Sequence, residues 1–181
     1  MVSTLVTGTP PMPTSPVVLP TAVSAVRASL PAPDAAPASP RSPRRPVVMD
    51  AGCGWGTLVM ALAATIPGIE VRGIERSPAP CLYGRGRAAL FNRTALSGRR
   101  APGGVPPRVS VRCGDLFKES LEDVDVLVTY LSTGHMERLK QMEDRLPPVL
   151  VSVAFALPGR TPAVTYRVDD PYHTPVYVYR L

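Results

Sequence analysis

The chain has 181 residues, enough for one domain that buries about two thirds of its unfolded surface and too few for a second catalytic domain. With 45% hydrophobic and 19% charged residues it is a globular composition and not a disordered one. The net charge of +6 comes almost wholly from arginine, since Lys118 and Lys140 are the only lysines, and it favours acidic partners only weakly.

Eleven of the 23 prolines lie in residues 1–46, where Asp34 is the only acid, so this quarter differs in kind from the rest. "PMPTSPVVLPTAVSAVRASL" spaces Val18, Ala22, Val26 and Leu30 at helical intervals and predicts a helix from Pro16 to Leu30. "PAPDAAPASPRSPRRP" follows, with six prolines in sixteen residues, and reads as an extended connector. The folded domain is expected over 47–181, preceded by a proline-rich segment over 1–46.

From Val47 strands and helices alternate. "VVMD" is a short buried strand, and Thr57 to Thr65 is an apolar helix stopped by Pro67-Gly68. "EVRGIE" ends a second strand on Glu75, and Ser77-Pro78 starts a helix to Leu96, weakened by Gly84 and Gly86 at about 1 kcal/mol each. Beyond the loop "SGRRAPGGVPP" come a third strand, "RVSVRC", then "GDLF", and a fourth strand, "VDVLVTY". A helix with Met136, Leu139, Met142 and Leu146 on one face ends at Pro147-Pro148. "VLVSVAF" is a fifth strand, and "AVTYRV" and "PVYVYR" have no helix between them, so they must pair as a hairpin. Such alternation predicts an α/β fold with a parallel sheet and an antiparallel edge.

Cys53, Cys81 and Cys113 are an odd number without a CxxC pair, which suggests neither a disulfide framework nor a zinc site. A reducing, cytoplasmic setting is the expectation. No apolar run approaches the ~18 residues of a membrane helix, so no transmembrane segment is expected. The arginines at 41, 44 and 45, and those at 99, 100 and 108, read first as solvated loop charge and second as a nucleic-acid or acidic-lipid patch.

The chemistry concentrates in "VVMDAGCGWGTLV". Gly52, Gly54 and Gly56 follow a strand and open a helix, where backbone can approach a ligand and unpaired amides face it. The dinucleotide fingerprint needs glycine at position 57, which is threonine, and has no use for Asp50 ahead of the loop. A P-loop lysine is absent as well. A ligand carrying an ammonium and a sulfonium does make use of Asp50. Glu75, at the end of the next strand, can accept from both ribose hydroxyls, and Asp115, after the third strand, from an adenine amino group. S-adenosyl-L-methionine fits all three acids, which fall at the carboxyl ends of consecutive strands. Taken singly, each of these residues also reads as an ordinary strand end, and Cys53 as a small residue in a crowded loop.

"VVMDAGCGWG", "GIER" and "CGDLF" resemble the successive motifs of class I S-adenosylmethionine-dependent methyltransferases over residues 47–181. The resemblance implies a Rossmann-like seven-stranded sheet of order 3-2-1-4-5-7-6, its last strand antiparallel, with helices on both faces. "PMPTSPVVLPTAVSAV", "RSPAPCLYGRGRAAL", "VDVLVTYL", "VSVAFALPG" and "PVYVYRL" are similar to segments of the small lysine methyltransferases acting on ATP synthase subunit c and the adenine nucleotide translocator, and of their bacterial relatives. Trp55 stands where that group often has an acid. The resemblance implies cofactor contacts from Thr14, Asp50, Gly52, Cys53, Gly54, Gly56, Glu75, Asp115 and Leu116, with no metal.

Tyr130, ending the fourth strand, is the residue expected to border the transferred methyl group, and His135 can shuttle a proton; a strand-end aromatic otherwise packs the core, and a histidine there otherwise sits on the surface. His173 has no assigned role. "TYLSTG" replaces the Asn/Asp-Pro-Pro-Tyr/Phe of nucleobase amino methyltransferases, which argues against a DNA-directed enzyme. A protein lysine is the leading acceptor, with RNA or a small molecule as the alternative and a non-catalytic binding protein as the third reading.

Overall fold

The computed structural model describes residues 15–30, 44–96 and 108–181. Thr14, most of the proline-rich connector and the loop with Arg99 and Arg100 lie outside the described residues. The first helix, α1 (Val18–Ser29), buries Val18, Ala22, Val23, Ala25 and Val26 on one face, a little shorter than the periodicity predicts.

Strands β1 (Val47–Ala51), β2 (Glu70–Glu75), β3 (Arg108–Cys113), β4 (Val126–Thr129), β5 (Val149–Val153), β6 (Val164–Arg167) and β7 (Pro175–Arg180) form one sheet of order β3-β2-β1-β4-β5-β7-β6. The first five run parallel, while β7 is antiparallel to both β5 and β6. This is the expected seven-stranded methyltransferase sheet. Its central strands β1, β4 and β5 are buried throughout, which is why they read as apolar runs and not as alternation.

Helices α2 (Thr57–Thr65) and α3 (Pro78–Leu96) join α1 on one face, and α4 (Thr133–Gln141) covers part of the other. Each face has its own apolar core. Val48, Val59, Leu62, Val71, Val128 and Val151 belong to the first, and Met49, Leu127, Met136, Leu139, Leu150 and Tyr179 to the second. The buried Tyr179 hydroxyl accepts from the Leu157 amide at 2.9 Å, so a large ring sits in the core without an orphaned oxygen. Helix α4 ends at Gln141, and Glu143–Arg145 continue as a 3₁₀ turn, so the face predicted from Met136 to Leu146 is carried by two short elements.

Helix α3 runs unbroken through both its glycines. Gly84 marks a close approach: a Cβ on it would lie 3.2 Å from Val111 Cγ1, tighter than an ordinary contact, and 3.7 Å from the Gly54 carbonyl oxygen. The propensity lost at this position lets the helix lie close against β3 and the glycine loop. At Gly86 a Cβ would meet nothing within 4 Å.

The cysteine expectation is corrected. Cys81, in the first turn of α3, pairs with Cys113, the last residue of β3, with Cα atoms 5.5 Å apart. Thirty-two positions separate them, and only the parallel β2–β3 crossover brings them together, so spacing along the chain gave no signal. Cys53 is the free cysteine, and it is buried.

Candidate functional site

The parallel strands β1 to β4 end on one rim of the sheet. Asp50 lies there in β1, paired in register with Gly73 of β2 and Val128 of β4. The chain then turns through Gly52, Gly54 and Gly56 at φ +74°, +51° and +76° before entering α2. These are left-handed conformations that a side chain strains. A Cβ on Gly52 would also lie 2.9 Å from Leu131 Cδ2, whereas one on Gly54 would meet only open space. Gly52 therefore packs against the β4 loop, and Gly54 leaves a cradle.

Glu75 holds the loop's shape. Its Oε2 accepts from the Gly54 amide at 2.9 Å and its Oε1 from the Ser77 amide at 2.6 Å. A carboxylate has about four acceptor positions, so two remain for hydroxyl donors even with both amides bound. The Ile74 carbonyl accepts from the Gly52 and Cys53 amides, which fastens the loop to β2 a second time.

Asp50 is 4% exposed and makes no side-chain hydrogen bond or ion pair with another described residue. Burial, and secondarily the negative charge of Glu75, raise its pKa from 3.8 to about 7. A buried carboxyl without a cation beside it is poised to receive one. The same two acids, after burial, push the Cys53 thiol well above the ordinary range. Cys53 is thereby kept neutral, and its Sγ fills the space that a Cβ on Gly73 would enter, at 2.7 Å. Its place in the loop is a packing one.

Asp115 follows β3 and caps the short turn Leu116–Lys118, with Oδ1 accepting from the Phe117 amide at 3.2 Å. Leu116 is 6% exposed and packs into the core beneath that turn. Phe117 stacks on His135 with ring centroids 6.1 Å apart, and Ser132 Oγ lies 2.8 Å from His135 Nδ1. The β3 turn is thus joined to the start of α4. Tyr130, just past β4, is half-buried against the first core.

Two features of the rim escape the sequence patterns. Thr129 and Ser152 are buried polar residues at the ends of β4 and β5, 3.2 Å apart, and Ser152 Oγ donates to the Phe155 carbonyl at 2.6 Å. Their bonds fix the loops that carry Tyr130 and Phe155. Ala154, just past β5, has φ +67° and donates its amide to the Pro175 carbonyl of β7, a strained turn tied to the neighbouring strand. A lone serine in the apolar run "VLVSVAF" was the available signal for the first.

The residues fit S-adenosylmethionine on three observations: the uncompensated Asp50, the acceptor capacity left on Glu75, and the open cradle at Gly54. Among the described residues no cluster of His, Cys, Asp and Glu is suited to a metal. A groove of about 320 Å³ over β2 and β3, lined by Glu70, Arg72, Ser110 and Arg112, contains none of the rim acids.

A family model described as the ANTKMT methyltransferase domain matches residues 50–164. No match is found among curated proteins. Among solved structures, an RNA methyltransferase from Salinibacter ruber in complex with S-adenosyl-L-homocysteine superposes with a TM-score of 0.67 at 22% identity, covering 93% of each chain. An S-adenosylmethionine-dependent methyltransferase from Thiobacillus denitrificans, also with S-adenosyl-L-homocysteine, gives 0.50 at 21% identity over 83% of this chain and 52% of its own. At these identities the likeness carries the fold.

Proposed function

We propose that this chain, which belongs to the ANTKMT methyltransferase domain family, methylates the ε-amine of a protein lysine. It is an S-adenosylmethionine-dependent methyltransferase with the seven-stranded sheet of that class. The observation that carries the site assignment is the buried, cation-free Asp50 beside a Glu75 whose two oxygens shape the glycine loop.

In this reading Asp50 balances the positive charge of the cofactor. Glu75 accepts from the ribose hydroxyls, Asp115 from the adenine amino group, and Gly52, Gly54 and Gly56 admit the backbone closely. Leu116 supports the adenine side from below and Cys53 fills the loop. Thr14, outside the described residues, completes the set implied by the family resemblance. When bound, S-adenosylmethionine supplies an electrophilic methyl group for in-line displacement at its sulfonium.

The protein's remaining task is to present a neutral nucleophile at near-attack distance. A lysine amine with a pKa near 10.4 must give up its proton first, to a desolvating pocket or to an acceptor. Tyr130 borders the amine in this scheme. To His135, held by Ser132 and Phe117, we assign the passing of the proton towards solvent. In a cytoplasmic, reducing setting Cys81 and Cys113 would be thiols.

An RNA acceptor is the second reading, favoured by the overall likeness to the Salinibacter ruber protein named an RNA methyltransferase. Labelled methyl transfer in a cell lysate, followed by protease or ribonuclease digestion, separates the two. Label released by protease and recovered as methyl-lysine after acid hydrolysis is the expected result. Label released only by ribonuclease overturns the lysine assignment and leaves the methyltransferase intact.

A further inference from the structure

Helix α3 turns an apolar face outward. Leu82 and Leu90 are 61% and 63% exposed and stand two four-residue steps apart, with Gly86 between them. Tyr83, 56% exposed, flanks this stripe and meets Trp55 of the glycine loop edge-on at 5.5 Å. Two leucines, a tyrosine and a tryptophan on one outer surface are more than scattered apolar exposure.

The charge of this helix has one sign: Arg85, Arg87 and Arg93, with no Asp or Glu from Pro78 to Leu96. On the helix itself, Arg85 and Arg93 are exposed, and Arg87 donates to the Trp55 carbonyl while lying 5.9 Å from the Tyr83 ring centroid. Among the described residues none of these three makes an ion pair.

We infer that the outer face of α3, with Trp55, docks on an anionic lipid surface. The occupant must be negatively charged and must also take up aliphatic side chains. A second copy packed face to face through this helix fails the first condition, because two such helices would oppose arginine to arginine with no acid between them. RNA meets the first condition, and its bases stack on aromatic rings, but it gives Leu82 and Leu90 nowhere to go. An anionic bilayer meets both. Leucines enter the headgroup boundary, Trp and Tyr rings settle at that level, and arginines reach to lipid phosphates along their own stems.

The length is suitable too. Leu82 to Leu90 spans about 12 Å at 1.5 Å per residue, the footprint of a short interfacial helix. Trp55 belongs to the loop that also contains Gly54 and Gly56, so docking would hold the Glu75 rim near the lipid surface.

The test is co-sedimentation of the full chain with phosphatidylcholine vesicles, with and without phosphatidylglycerol, at low and high salt. Binding to the anionic vesicles, weakened by salt and absent on the neutral ones, is expected. Leu82→Asp/Leu90→Asp should lower partitioning at least tenfold. Arg85→Gln/Arg93→Gln should lower it several-fold and flatten the salt dependence. Affinity for S-adenosylhomocysteine, measured in parallel, should stay unchanged in both; if the leucine variant loses it, the arginine variant supplies the readout.

No binding to anionic vesicles overturns the inference, as does binding indifferent to both double variants. An oligouridylate probe completes the test. If it binds more tightly than the vesicles do and competes them off, the face belongs to nucleic acid. No methyl acceptor enters these measurements, so their failure leaves the lysine assignment untouched.

Discussion

The Glu75 carboxylate accepts the Gly54 amide at 2.9 Å, so the strand-end acid and the middle glycine of the loop form one unit before any ligand arrives. Each depends on the other. The left-handed turn aims the Gly54 amide at β2, and Glu75 removes the cost of leaving that amide unpaired. Glu75→Ala should therefore weaken S-adenosylmethionine binding by roughly 1.5 to 3 kcal/mol, the range for hydrogen bonds to a charged group. Titration calorimetry reads this directly. An unchanged affinity would remove Glu75 from the site.

Asp50 gives the site a pH dependence whose sign is fixed. Its carboxyl titrates near 7 in the folded protein against 3.8 when unperturbed, because burial and then Glu75 penalise its charge. A bound cation favours the ionised form, so binding expels a proton wherever Asp50 is still protonated. Cofactor affinity should rise with pH up to about 7, by as much as tenfold per unit, and then level off. The ligand-free protein should show the reverse trend in stability. Its folded state binds more protons than the unfolded chain between 3.8 and about 7, so this contribution is lost as pH rises through that window. Asp50→Asn should flatten both curves, as followed by calorimetry and by thermal melts across pH.

The strands were readable because buried parallel strands leave apolar runs separated by turn residues, as in "VVMD" and "VLVSV", whereas their order came from the family resemblance. The acids at the strand ends were readable for a related reason: Asp50 and Glu75 interrupt those runs where a carboxylate has no packing role. What the sequence concealed depends on approach in space. Gly84 reads as a helix defect until Val111 and Gly54 are seen lying against it. Cys81 and Cys113 read as unrelated until β3 is laid beside β2. The outward Leu82 and Leu90 could not be told from core positions, since helical spacing marks a face without saying which way it points.

The two glycines of α3 should respond oppositely to the same substitution. Gly86→Ala adds a methyl group to open space and replaces the poorest ordinary helix former with the best, so it should stabilise the protein by about 0.5 to 1 kcal/mol. Gly84→Ala gains the same propensity but drives its methyl group to 3.2 Å from Val111 Cγ1. Val111 must yield by a few tenths of an ångström against β3, so a net loss of about 1 to 3 kcal/mol is expected. Urea denaturation of the two variants provides the comparison.

The Cys81–Cys113 link closes a loop across a sequence separation of 32 residues and ties the start of α3 to the end of β3, two residues before Asp115. Constraining an unfolded loop of that size contributes about 2 to 4 kcal/mol to stability. Reduction should lower the melting temperature, and Cys81→Ala/Cys113→Ala should melt like the reduced protein and ignore the reductant. Thiol titration of the unreduced, denatured chain should find Cys53 alone, against three thiols after reduction. Because Asp115 follows so closely, the reduced protein should also bind S-adenosylmethionine less tightly. The affinity of the double variant separates that effect from the loss of stability: if it binds as well as the oxidised protein, the link steadies the fold without steadying the site.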